Sequence, residues 1–169
     1  MRSVGQGKCR CDEVPMSYRI FVSYSTLDLG VVQKIERIVT GTGIEVFVAE
    51  HSVKPGERLD SRLLSAIRDC DLFLVLVSSH SVQSSWVEQE IGIATASNKP
   101  ILPVLLEPEV ELPGVISGVK YLRAHDNPEE ALVWLRQTVF AKAQKKQQNE
   151  ALVWLGLGAL VVYLAAGSK

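Results

Sequence analysis

The chain has 169 residues, 47% of them apolar, and a formal net charge of −1. That is room for one domain with a sizeable core, and a near-neutral balance with scattered lysines and arginines gives no electrostatic footprint for nucleic acid. Three cysteines, Cys9, Cys11 and Cys70, make no disulfide framework and point to a reduced, cytosolic setting, and a Cys-x-Cys pair without further Cys or clustered His assigns no metal site.

Residues 1–16 read as a polar leader, expected to be disordered. It holds no apolar segment and so is no secretory signal, and Met16 is a candidate translation start. Tyr18 to Tyr24, rich in β-branched and aromatic residues, reads as a short buried strand. Asp28 then offers a helix cap, and Val31, Val32, Ile35, Ile38 and Val39 recur at helical spacing until Gly41 and Gly43 stop the helix. A second strand is expected at 44–48, followed by a loop at 49–57 that is punctuated by Pro55-Gly56.

A helix from about Arg58 to Asp69 leads to a third strand, Leu72 to Val77. The segment beginning Ser84-Ser85-Trp86 opens the next helix, extending to about Ser97. The fourth strand, 100–106, contains Pro103, which argues for an edge position or a bulge. A short segment at 112–118 precedes a fifth strand near Tyr121-Leu122-Arg123, and Asn127-Pro128 then starts a long helix as cap and first-turn proline. Strands that are apolar throughout, joined by helix-length crossovers, call for a parallel sheet covered on both faces. The fold class is therefore α/β: a flavodoxin-like five-stranded parallel sheet with helices on both faces, occupying residues 17–140.

After a polar linker at 141–150, residues 151–167 carry no charge, and they are expected to form a C-terminal hydrophobic helix. As a helix they reach about 25 Å, the short end of a transmembrane span. Trp154 and Tyr163 lie towards its ends, and Lys142, Lys145 and Lys146 on the domain side outnumber Lys169 beyond. The expectation is a membrane protein with a single C-terminal span and its domain in the cytoplasm. An oligomerisation helix fits the same all-round hydrophobicity. The word Glu-Ala-Leu-Val-Trp-Leu occurs at 130–135 and 150–155, too little for a repeat architecture.

Glu90 stands four residues after Trp86, so the two share a helical face while Glu88 and Gln89 point elsewhere. An acidic residue in the opening turns of a helix also favours the macrodipole without any chemistry. Three segments leave the carboxyl ends of neighbouring strands and converge on one rim of the sheet: Tyr24-Ser25-Thr26, the loop around Lys54, and the Trp86 helix. His51, His80 and His125 read as loop residues. No Ser/His/Asp or Cys/His set assembles, and Gly41-Thr42-Gly43 follows a helix, so it is no phosphate-binding fingerprint.

Four motifs in order, Arg19-Ile-Phe-Val-Ser-Tyr-Ser, Val46-Phe-Val-Ala-Glu-His-Ser-Val-Lys-Pro-Gly-Glu, Cys70-Asp-Leu-Phe-Leu-Val-Leu-Val-Ser and Ser85-Trp-Val-Glu-Gln-Glu-Ile, resemble a Toll/interleukin-1 receptor (TIR) domain of the prokaryotic, NAD-cleaving type. The resemblance implies a flavodoxin-like fold and cleavage of NAD+ at the nicotinamide–ribose bond, giving nicotinamide and ADP-ribose or a cyclic isomer. By that resemblance Glu90 is catalytic; Tyr24, Ser25, Thr26 and Lys54 contact NAD+; and Trp86 flanks the nicotinamide. No cofactor or metal is implied, because NAD+ is the substrate. Activation by TIR–TIR self-assembly and a part in defence signalling are further implications. Some relatives carry basic residues where Ser25 and Thr26 stand, and an aspartate where Ala49 stands.

Two other functions compete. One is a non-catalytic TIR adaptor acting by docking alone. The other is a phosphorelay receiver, which needs an acidic pocket after the first strand and an aspartate after the third. Those places hold Ser23-Tyr24-Ser25 and Ser78-Ser79-His80.

Overall fold

The structure, a computed structural model, describes residues 17–41, 43–48 and 61–166, with side chains as far as Leu152. The leader 1–16 with Cys9 and Cys11, and the 49–57 loop with His51 and Lys54, lie outside the described residues. So does the expected start of the second helix near Arg58.

Five strands, β1 (Tyr18–Ser23), β2 (Ile44–Val48), β3 (Leu72–Val77), β4 (Ile101–Leu105) and β5 (Leu122–Arg123), form one parallel sheet in the order 2-1-3-4-5. This is the flavodoxin-like order. Period-two alternation divides the core between the faces. Tyr18, Ile20 and Val22 of β1, with Leu72, Leu74 and Leu76 of β3, pack under α1 (Leu29–Val39) and α4 (Pro128–Ala166). Phe21, Phe73, Val75 and Val77 face α2 (Ser61–Asp69) and α3 (Ser85–Ala96). The Phe21 ring stacks between Phe47 and Phe73, with centroid distances of 5.4 and 5.3 Å.

Local chemistry fixes the ends of the elements. In α1, Val32, Ile35 and Val39 are the buried stripe, and Gly43 takes a φ of 78° in the turn that follows. At the end of α3, Asn98 adopts a φ of 51°; the N–H groups of Asn98 and Lys99 donate back to the Thr95 and Ala94 carbonyls, closing the helix in a Schellman motif. Asn127 caps α4, accepting the Glu130 N–H at 3.2 Å. Asp28 departs from its expected role. A 3-10 turn, Thr26–Asp28, precedes α1, and the Asp28 carboxylate caps nothing because it accepts the Ser78 hydroxyl at 2.6 Å instead.

Pro103 is accommodated on topological grounds. The Leu106 N–H bonds Val77 of β3, whereas the Leu105 carbonyl accepts the Ala124 N–H beyond β5. Alternation thus turns the Pro103 nitrogen to the outer side of β4, where β5 begins only opposite Val104. The strand is interior by order and an edge at that residue.

The C-terminal expectations need correction. Residues 141–150, read as a linker, are helical and continuous with α4. Ala143 is buried in the sheet-facing core, and the Lys146 ammonium donates to Asp71 Oδ2 at 2.7 Å and to the Ser17 carbonyl at 3.0 Å. Residues 151–166 are the end of this helix and not a separate element. Among the described residues no helix is long and apolar enough to cross a membrane. The uncharged stretch within α4 rises about 24 Å, short of the roughly 30 Å of hydrocarbon. The turns before it hold Glu150, Gln148, Gln147 and Lys146. The expectation of a transmembrane helix at 151–167, and with it the membrane localisation, is therefore overturned.

Candidate active site

The Ser84 hydroxyl caps α3, accepting the Val87 N–H at 3.4 Å. Glu90 follows in the second turn. Val87 and Ile91 on either side of it are buried in the core shared with α2, so the helical register carries Glu90 inward with them. Its side chain has 0% exposure, and its Oε2 accepts the hydroxyl of Ser23 at 2.5 Å. Ser23 is the last residue of β1 and likewise 0% exposed. It shares the face of Phe21, the face that α3 covers.

The carboxyl therefore sits at the carboxyl end of β1, where the order 2-1-3 reverses direction. In open α/β sheets that switch point is where ligands bind. Burial among apolar side chains pushes the Glu90 carboxyl up from 4.5 to about 7, and the Ser23 hydrogen bond opposes part of that rise. Near neutrality the group is divided between acid and carboxylate, the state a group needs if it is to change charge during a reaction.

The other expected residues distribute unevenly. Trp86 is half-buried, one turn before Glu90, and Glu88 and Gln89 are exposed. Ser25 is half-buried, and its hydroxyl accepts the Leu27 N–H at 3.5 Å, so it serves the 3-10 turn; Thr26 is exposed. Tyr24 is 5% exposed and packs in the α1/α4 core, on the sheet face opposite Glu90. Alternation decides this, since Ser23 and Tyr24 must point to opposite faces. Lys54 lies outside the described residues.

A second polar group lies along the same rim. Ser78, fully buried at the end of β3, donates to Asp28, and its backbone N–H donates to the Ser81 hydroxyl at 2.8 Å. Ser79 meets Glu107 at 3.2 Å through both its N–H and its hydroxyl. His80 is exposed, and the Nδ1 of His125 lies 3.0 Å from Asp126. Among the described residues no group of three or more His, Cys, Asp or Glu side chains could hold a metal. Ser23 is the partner that the sequence reading passed over. Its signal was present: a hydroxyl in phase with Phe21 on a strand whose other inward positions are apolar.

Comparison with known proteins identifies the family and the fold. Residues 20–136, from β1 into α4, match the sequence model of the TIR domain family. A 92-residue stretch is 26% identical to a Brachypodium distachyon protein named as a probable 2′ cyclic ADP-D-ribose synthase, BdTIR; it covers 53% of this chain and 41% of that protein. The chain thus aligns with about two fifths of that relative's length. Among solved structures, the TIR domain of the Toll-related receptor TRR-2 of Hydra magnipapillata superposes with a TM-score of 0.56 at 22% identity, covering 76% of this chain and 99% of that one. A metazoan TIR-STING receptor from C. gigas gives 0.51 at 26% identity, with 70% of this chain and 41% of that chain covered. With the 2-1-3-4-5 sheet and a family match running from β1 into α4, the chain belongs to the TIR domain family.

Proposed function

We propose that this TIR domain is an NAD+ glycohydrolase, with ADP-ribosyl cyclase activity where an atom of the same nucleotide outruns water. The observation that carries the reading is the Glu90 carboxyl, buried at the end of β1 and bonded to Ser23. The name of the Brachypodium relative, a probable cyclic ADP-ribose synthase, supports the same chemistry.

The reaction asks little of the protein. Nicotinamide leaves as a neutral ring from a pyridinium, taking the C–N bonding pair with it, so no acid need protonate it. The cost is positive charge growing on the ribose, an oxocarbenium-like state as in glycoside cleavage. A carboxylate aimed at that carbon from a water-poor pocket stabilises the charge as it develops. Water then adds to the cation and releases a proton, giving ADP-ribose, or an internal nucleophile closes a ring. In this scheme Glu90 faces the ribose, Trp86 offers its ring to the departing nicotinamide, and Ser25, Thr26 and Lys54 hold the rest of the dinucleotide. Tyr24 acts from behind, as packing for the end of β1. Self-assembly through TIR–TIR contacts brings the 49–57 loop of one subunit to its neighbour's site.

A second reading is a docking adaptor without catalysis. The 0% exposure of Glu90 favours it, because a carboxyl so enclosed also serves as a polar tie between β1 and α3. Nicotinamide release from NAD+ at high protein concentration separates the two. Catalysis predicts turnover that Glu90→Ala abolishes and Glu88→Ala, at an exposed position, retains; the adaptor leaves NAD+ intact throughout.

A further inference from the structure

We propose that Ser23 is a positioning residue of this site, its hydroxyl holding the Glu90 carboxylate charged and aimed; the inference rests on Glu90 being the catalytic group. The two side chains lie 67 residues apart in sequence and meet at 2.5 Å, each without solvent exposure. A hydroxyl that donates to a carboxylate favours the ionised form. It does so more strongly where no water competes. The platform is rigid: Ser23 is in register with Val75 of β3, inside the central ladder of the sheet. A site built on a strand holds its geometry better than one built on a loop.

Burial and the Ser23 hydrogen bond act on the Glu90 carboxyl in opposite directions. The elements packed most closely against α3 are α2, β1, β3 and the 3-10 turns Ser81–Gln83 and Gly114–Ile116, and Glu111 lies beside Val87, Glu88 and Ile91. β3 and both turns carry no titratable side chain. β1 contributes Tyr18 and Arg19 at its opposite end, α2 contributes Arg62, Arg68 and Asp69, and α3 itself has Glu88. None of these charges shifts Glu90, on which burial acts upward and Ser23 acts downward. Ser23 is thus one side chain that opposes burial, and removing it leaves the carboxyl more fully in its neutral form.

The test uses the full chain as wild type, Ser23→Ala, Ser23→Thr and Glu90→Gln, with carbon-13-labelled glutamate followed by NMR across pH. The Glu90→Gln spectrum identifies the Glu90 signal. Ser23→Ala should raise the Glu90 midpoint by about one pH unit, and Ser23→Thr should restore it. NAD+ cleavage at pH 7 should fall about fivefold in Ser23→Ala, as the carboxylate fraction drops from about a half to about a tenth, and recover as pH is raised. A structural defect would lower activity at every pH. Should the alanine variant fail to fold, Ser23→Cys, a weaker donor, should move the midpoint in the same direction. An unmoved midpoint, or a loss that higher pH does not rescue, overturns the inference. A moved midpoint in a protein that never cleaves NAD+ refutes the enzymatic reading and leaves the Ser23–Glu90 coupling standing.

Discussion

Replacing Glu90 with Gln should stabilise the fold, and the gain should depend on pH. An unfolded glutamate ionises at 4.5, whereas burial holds the folded carboxyl at about 7. Between those values the folded chain keeps a proton that the unfolded chain releases, so raising pH weakens the fold. The contribution is fully present below 4.5 and lost as pH rises through 7. Its size follows from the shift, at about 1.4 kcal/mol per unit, for a total of about 3 kcal/mol. Glutamine cannot ionise, and its carbonyl still accepts the Ser23 hydroxyl. Urea denaturation followed by tryptophan fluorescence at pH 5 and pH 8 reads the difference between variant and wild type, in which all other titrating groups cancel. Glu90→Gln should match wild type within about 1 kcal/mol at pH 5 and exceed it by about 2–3 kcal/mol at pH 8. An equal difference at the two pH values, or greater loss at pH 8, would refute the claim that burial dominates the Glu90 environment. The cost of keeping an ionisable carboxyl in an apolar site is then visible as stability forgone.

If Glu90 acts as the carboxylate, wild-type NAD+ cleavage should rise with pH through about 7 and then level, since the protonated form cannot stabilise a cation. Lys146→Met should cost about 1 kcal/mol, because the Lys146–Asp71 pair is only half-buried and Asp71 keeps the Arg19 N–H; the sharper readout is faster amide exchange in α4 beyond Ala143. The Cys70 thiol, pushed up to about 11 chiefly by burial and bonded to the Ile67 carbonyl, should be labelled by thiol reagents at least about a hundredfold more slowly in the folded protein than in urea at pH 8. That comparison is best made with Cys9 and Cys11 replaced by serine. Comparable rates in the two states would show the end of α2 to be open.

Much of the fold was legible because parallel strands buried on both faces read as unbroken apolar runs, and Leu72 to Val77 is buried at every position. The buried stripe of α1 follows from the three- and four-residue spacing of Val32, Ile35 and Val39. The candidate glutamate was legible as a motif position, four residues after Trp86 on a helix leaving β3. Its environment was not. A hydrogen bond between residues 23 and 90 has no local signature, since it exists only once β1 and α3 are packed.

The amino-acid sequence by itself determined the five strands, their parallel arrangement and the family, because periodicity, turn residues and motif order are local properties of the chain. Tertiary structure alone decided which side chains share a face. Alternation along β1 sent Ser23 to Glu90 and Tyr24 to the opposite core. The packing of Ala143 and Lys146 joined an apparent linker and an apparent span into one helix. Long-range contact is the physical reason in each case: burial, desolvation and hydrogen bonding at a site are set by residues far away in sequence, which no local pattern encodes.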